Sequence, residues 1–150
     1  MGAYKMKKHT ESGFTFDILE DHAVVTEIEG DPQIVEIPGQ IDGVSVTELG
    51  EYLFSGKSCQ VIRIPSGVRK IGRYGFYNCR DLEQIWFSSD FTDLGSGAFT
   101  GCHRIRSLEV QMNSEQSGLK EILSEVGEEL KVHLYGKVEA MLWFPEYYEE

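Results

Sequence analysis

Cys59, Cys79 and Cys102, together with His9, His22, His103 and His133, are the side chains of this 150-residue chain suited to ligating a metal or forming a thiolate–imidazole nucleophile. Their spacing argues against both. Zinc sites draw on cysteine pairs two to four residues apart, and no such pair occurs. Cys102 and His103 are neighbours on an extended or turn segment, where consecutive side chains point apart. The four histidines share no spacing. Glu128-Glu129 and Glu149-Glu150 look like acid pairs for proton transfer, but the first falls on a helical pattern and the second in a tail, both solvated settings. No catalytic, cofactor-binding or metal-ligating residue is expected. Three cysteines, an odd number, also argue against a disulfide framework and for a reducing compartment.

The cysteines have a plainer explanation in an internal repeat. Ile62, Ile64, Val68, Ile71, Gly72, Phe76, Cys79 and Leu82 recur 23 residues later as Ile85, Phe87, Phe91, Leu94, Gly95, Phe99, Cys102 and Ile105. Cys59 falls where Leu82 and Ile105 stand. A free cysteine packs as a small hydrophobe, so all three fit an interior. A unit this short cannot bury its own apolar face, and copies must stack on one another into a solenoid. An irregular copy opens at Ile34, where Val35, Ile37 and Pro38 match Ile62, Ile64 and Pro65, and Leu49, Gly50 and Phe54 match Ile71, Gly72 and Phe76. It carries a five-residue insertion around Gly39 to Ser45. Leu108 and Val110 form a last half-copy.

Within each copy, alternation along a short strand sends Ile62/Ile64 and Ile85/Phe87 inward and their neighbours outward. Gly50, Gly72 and Gly95 mark a sharp turn that needs either φ > 0 or room for close packing. Phe54, Phe76 and Phe99 are placed to stack as a spine. The alignment also sorts charge: the columns Glu48/Lys70/Asp93, Glu51/Arg73/Ser96 and Glu36/Arg63/Trp86/Glu109 put no like charges side by side.

Different patterns flank the repeat. Phe14, Phe16 and Ile18, then Ala23, Val24, Val25 and Ile28, read as a hairpin over residues 12–30 that caps the first open sheet edge. After residue 110, Leu119, Ile122, Leu123, Val126 and Leu130 fall on one stripe of an amphipathic helix, with Ser117 as its N-cap. Val132 and Leu134, a Gly136-Lys137 turn and Val138 to Phe144 read as a hairpin ended by Pro145. The acidic, aromatic finish at Tyr147 and Tyr148 reads as an abrupt end within a longer chain. The expected class is thus α+β: a right-handed solenoid of three to four stacked β rungs over 34–110, an N-terminal β-hairpin cap, and a C-terminal helix plus β-hairpin over 111–150, all in one domain spanning 1–150.

Net charge is −11, unevenly spread. Residues 1–55 carry 3 basic against 11 acidic side chains, residues 56–110 carry 8 against 5, and residues 111–150 carry 3 against 9. Acidic flanks would repel phosphate, so nucleic acid is not an expected partner. No apolar run approaches the roughly 18 residues of a membrane span, and no apolar segment follows the N-terminal lysines. The chain as it stands is expected to be soluble and cytoplasmic, with display at the cell surface if it belongs to a longer protein.

The run I-R-I-P-S-G-V-R-K-I-G-R-Y-G-F-Y-N-C-R-D-L from Ile62 to Leu82 resembles the BspA-type leucine-rich repeat family, whose pattern is I-x-x-I-x-I-P-x-x-V-x-x-I-G-x-x-A-F-x-x-C-x-x-L. The next copy keeps Leu94-Gly95, Ala98-Phe99 and Cys102; the departures are Gly75 for Ala and Ser88 for Pro. Ile37-Pro38, Gly43, Val46, Leu49-Gly50 and Phe54 are similar to an opening repeat. The resemblance covers about residues 34–110. It implies a bacterial leucine-rich-repeat interaction module, often displayed for adhesion, with no catalytic residue and no cofactor.

The outward face of the repeat sheet is therefore the candidate partner-binding surface: Ile34 and Glu36, Val61 and Arg63, Gln84 and Trp86, Ser107 and Glu109. Ile34, Val61 and Trp86 would form an apolar patch edged by Arg63 and the acids. Trp and Arg are enriched at binding hot spots, and exposed apolar patches mark partners. An unidentified protein is the expected partner. The alternatives are a face covered by the C-terminal helix, a homo-oligomer built through exposed ends or Trp86, and a targeting module of a longer enzyme or surface protein.

Overall fold

The computed structural model describes residues 6–88, 92–112 and 131–136. In chain order the strands are β1 (Lys7–Glu11), β2 (Phe14–Ile18), β3 (His22–Ile28), β4 (Ile34–Glu36), β5 (Gln40–Ile41), β6 (Val44–Leu49), β7 (Val61–Arg63), β8 (Lys70–Ile71), β9 (Gln84–Ser88), β10 (Asp93–Leu94), β11 (Ser107–Met112) and β12 (Lys131–Gly136). The chain winds between two sheets: β4, β7 and β9 each contribute a short strand to one, and the chain then turns to give β6, β8 and β10 to the other.

The first sheet has the order β12-β11-β9-β7-β4, all parallel. Its register pairs Val35 with Ile62, Ile62 with Ile85, and Ile85 with Leu108. These side chains are all buried. The second sheet runs β1-β2-β3-β6-β8-β10, with β5 attached to β6. There Leu49 pairs with Ile71 and Ile71 with Leu94.

Aromatic stacking fills the space between turns. The Phe54 and Phe76 rings lie 5.2 Å apart and the Phe76 and Phe99 rings 5.0 Å apart, each pair within 2° of parallel. The turn backbone repeats with the rings: Phe54 N–H donates to Gly75 O and Phe76 N–H to Ala98 O, both at 2.8 Å.

Of the two reasons that glycine suits its column, close approach is the operative one. A Cβ on Gly50 would stand 2.9 Å from Val25 O, on Gly72 2.6 Å from Glu51 N, and on Gly95 2.3 Å from Arg73 N. Successive rungs touch through bare backbone there. The left-handed conformation falls two residues later, at Tyr52 (φ 57°), Tyr74 (φ 55°) and Gly97 (φ 65°).

The N-terminal cap is larger than the hairpin expected from Phe14 to Ile28. β1 adds a third antiparallel strand through a turn at Ser12 and Gly13, both with positive φ, which suits a two-residue hairpin. β3 then pairs parallel with β6, so the cap closes the edge of the second sheet. Among the described residues no strand pairs with the outer edge of the first sheet at β4, which is short, with Pro32 and Pro38 on either side and Glu36 on it. The insertion at Gly39 to Ser45 is a small hairpin, β5 to β6, turning on Asp42 and Gly43.

The expectation of an α+β class with a C-terminal helix is corrected: the described residues form a β-solenoid of stacked strands and turns with no helix among them. The helical stripe Leu119 to Leu130 lies outside the described residues, as do Val138 to Phe144. The second arm of the hairpin expected after Val132 and Leu134 therefore lies outside the described residues. Val132 and Leu134 themselves lie on β12, which joins the first sheet parallel to β11, Leu108 beside Val132 and Val110 beside Leu134. Parallel neighbours need a crossover of a dozen or more residues, which the intervening stretch supplies. The repeat sheet thus continues past its expected end at Val110.

Candidate recognition face

The register of the first sheet places Glu36, Arg63, Trp86, Glu109 and His133 side by side, one from each of five strands. A second column holds Ile34, Val61, Gln84 and Ser107. Parallel pairing without slippage brings residues about 25 apart in sequence to neighbouring rungs, which is why one face can be assembled from so many segments.

The columns are chemically linked. The Arg63 guanidinium stands 5.2 Å from the centre of the Trp86 ring, a cation–π contact worth roughly 0.5–2 kcal/mol depending on desolvation. It also lies 3.5 Å from Glu36, an exposed ion pair that contributes little to stability. Trp86 Nε1 donates to Gln84 Oε1 at 2.8 Å, and the Gln84 amide nitrogen donates to Ser107 Oγ at 3.3 Å and to Glu109 Oε1 at 3.4 Å. Glu109 Oε1 is hydrogen-bonded to His133 Nδ1 at 2.8 Å. Trp86, the largest side chain of the face, is therefore held on both sides.

Accessibility divides the expected binding residues. Ile34 is 62% exposed, and Glu36 and Arg63 are exposed beside it. Val61, Gln84 and Trp86 are half-buried. Glu109 is 4% exposed, so it supports the face from within. A buried carboxylate requires partners, and Gln84 and His133 supply two.

Two features escaped the sequence reading. His133 enters the Glu109 column because β12 is a parallel rung, and only the spacing of Val132 and Leu134 from Leu108 and Val110 hinted at that. A cleft of about 310 Å³ also opens beside Trp86, with Ile64 and Phe87 as apolar walls and Ser66, Ser88, Glu109 and Gln111 as polar ones. Those residues lie along β9 and β11 or just past the end of β7, and the neighbouring rungs bring them together.

The cysteines form a column of their own. Cys59 and Cys79 are fully buried, and Cys102 is half-buried. Cys79 donates its thiol proton to Phe54 O at 3.1 Å, and Cys102 to Phe76 O at 2.9 Å. Hydrogen bonds to Cys102 and Cys59, then burial, push the Cys79 thiol well above the ordinary range. The hydrogen bond with Cys79 lowers both Cys59 and Cys102. These thiols tie turn carbonyls of adjacent rungs together. Among the described residues no group of three or more His, Cys, Asp or Glu side chains is arranged to hold a metal. Nor is any helix among them long and apolar enough to cross a membrane.

Comparison with known proteins agrees with this architecture. A leucine-rich repeat protein from Bacteroides capillosus superposes with a TM-score of 0.68 at 20% identity, over 86% of this chain and 99% of that one. A leucine rich cell surface protein from Faecalibacterium prausnitzii superposes with a TM-score of 0.56 at 16% identity, over 87% of this chain and 45% of that one. At these identities the likeness is one of fold. No curated protein matches the chain significantly. The six-copy model of the BspA type leucine rich repeat region matches residues 37–125, more than half of the sequence, and the chain belongs to that family.

Proposed function

We propose that this chain is a non-catalytic recognition module that engages a protein partner through the outward face of its first sheet. The observation that carries the reading is the ladder on that face: exposed Ile34, Glu36 and Arg63 lead to a Trp86 fixed by Arg63 on one side and Gln84 on the other. Anchors whose rotamers are already locked on rigid strands bind with less entropic cost than anchors on loops. Tryptophan and arginine are also the side chains most enriched at binding hot spots.

Capture from extracts of the native host with wild type, Arg63→Ala and Trp86→Ala, followed by titration of the captured protein, tests this. Both variants are expected to lose at least about tenfold in affinity. Equal capture by all three places the partner elsewhere.

Self-assembly through β4 is the competing reading, because no strand among the described residues pairs with that edge. Its three-residue length, its flanking prolines and Glu36 are the devices that blunt a strand edge. Light scattering is expected to give a monomer at micromolar concentration, and a dimer lost on Ile34→Lys would transfer the face to self-assembly. Three free thiols suit a reducing compartment, whereas the F. prausnitzii relative is a cell surface protein. Fractionation of the host decides between these settings.

A further inference from the structure

We propose that Cys102 and Cys79 form an oxidative modification site, in which a peroxide oxidises Cys102 and Cys79 resolves the product into a disulfide between adjacent rungs. The site lies in the turns that lead from the second sheet back to the first, and it does not depend on the recognition face.

Stacking brings the two sulfurs together. Cys79 and Cys102 hold the same position in consecutive rungs, as the neighbouring bond from Asn78 N–H to Thr100 O at 2.8 Å and the Phe76–Phe99 ring separation of 5.0 Å show. Rungs about 4.8 Å apart put the two Cα atoms within the roughly 4.4–6.8 Å that a disulfide spans. The Cys102 thiol leans back across that gap: it donates to Phe76 O at 2.9 Å, an acceptor of the Cys79 rung, and is hydrogen-bonded to the Cys79 side chain. Each carbonyl that now receives a thiol proton has a second donor, Lys57 N–H at 3.0 Å on Phe54 O and Cys79 N–H at 3.2 Å on Phe76 O. Closing the disulfide leaves neither carbonyl unpaired.

Access sets the order of events. Cys102 is half-buried, whereas Cys79 and Cys59 are fully buried. Against the opposing effect of burial, the Cys79 side chain and then its backbone N–H hold the Cys102 thiol below its ordinary range, while Cys79 is pushed up and stays protonated. An accessible, readily ionised thiol beside a resolving one is the arrangement of a redox-sensing cysteine. The Cys102 thiolate attacks one peroxide oxygen, the O–O bond breaks, and the departing hydroxide takes up a proton to become water. The Cys79 sulfur then attacks the sulfenic sulfur of Cys102, the S–O bond breaks, and the oxygen leaves as water with the Cys79 proton. Two thiols are oxidised to one disulfide, and one peroxide is reduced to two waters. Cys59 keeps its thiol, because it is buried and its hydrogen-bond partner Cys79 is consumed.

The test treats the reduced whole chain with a slight excess of hydrogen peroxide, then counts thiols after unfolding and maps tryptic peptides without reduction. Trypsin separates the three cysteines by cutting after Arg63 and Arg80. The thiol count is expected to fall from three to one, the intact mass to drop by two hydrogens, and one linked peptide pair to contain Cys79 and Cys102, all reversed by dithiothreitol. In the native, reduced protein Cys102 is expected to react with iodoacetamide at least about tenfold faster than Cys79.

Three variants divide the steps. Cys79→Ala is expected to stop at a Cys102 sulfenic acid that dimedone traps, Cys102→Ala to keep both remaining thiols, and Cys59→Ala to form the disulfide as wild type does. The wild-type map decides the matter even where a variant fails to fold. Three unmodified thiols after peroxide, a linkage that contains Cys59, a linkage between two chains, or faster alkylation of Cys79 than of Cys102 each overturns the assignment.

Discussion

Replacing Gly72 with alanine separates two explanations of the glycine column by the sign of the effect. Gly72 is not in the left-handed region, so alanine adopts its backbone without strain and restricts the unfolded chain, a stabilisation of about 0.4–1 kcal/mol taken alone. The new Cβ, however, would stand 2.6 Å from Glu51 N and 2.9 Å from Gly50 C. These are backbone atoms of the preceding rung, held by Gly72 N–H to Leu49 O at 2.8 Å and Tyr52 N–H to Arg73 O at 3.1 Å. They cannot rotate away. Overpacking of this kind costs about 1–3 kcal/mol, and immovable neighbours put it at the upper end. The net expectation is a destabilisation of about 2 kcal/mol, a fall in Tm of roughly 4–8 °C for a chain this long. Urea denaturation with an unchanged m-value is the assay. Gly39→Ala is the control, since its Cβ would meet only Pro65 Cβ at an ordinary 3.5 Å, and a gain of about 0.4–1 kcal/mol is expected. A neutral or stabilising Gly72→Ala would refute close rung contact as the reason for glycine.

Phe76→Ala removes the middle ring of the three-ring stack, and chemical denaturation is expected to show a loss of about 3–5 kcal/mol; under 1 kcal/mol would mean that the rings do not share an interior. Glu109→Ala strips a buried hydrogen-bond partner from His133 and Gln84, and a thermal melt is expected to show about 1–3 kcal/mol of lost stability. With Cys59 and Cys79 buried and Cys79 pushed upward by its thiol neighbours, iodoacetamide at pH 8 is expected to label those two only after unfolding; rapid modification of either in the native protein contradicts the buried column.

The repeat region was legible because its signals are local and redundant. Ile62 and Ile64 alternate, Gly72 and Phe76 follow at fixed offsets, and the same offsets return at Ile85, Gly95 and Phe99. One alignment therefore specified the pairs Arg63–Trp86 and Lys70–Glu48 before any coordinates. β1 was not legible: Lys7 to Glu11 is polar throughout and mostly exposed, so it carries no apolar period, and pairing with β2 alone makes it a strand. β12 was not legible as a rung because residues 113–130 contain neither the phenylalanine nor the cysteine that marks the earlier copies. Val132 and Leu134 then looked detached from the array to which their backbone returns. The cleft beside Trp86 could not be read at all, since Ser66 and Gln111 have no repeat meaning and meet only through the packing of three rungs.

The recognition face depends on β7, β9, β11 and β12 lying parallel in one register, and a nuclear Overhauser spectrum of the labelled chain reads that arrangement directly. Contacts between the Trp86 indole and the Arg63 side chain are predicted, with sequential parallel-strand cross-peaks linking Arg63 to Trp86, Trp86 to Glu109 and Glu109 to His133. Strong Hα–Hα cross-peaks of an antiparallel pair between β11 and β12, or an indole with no proximity to Arg63, would contradict it.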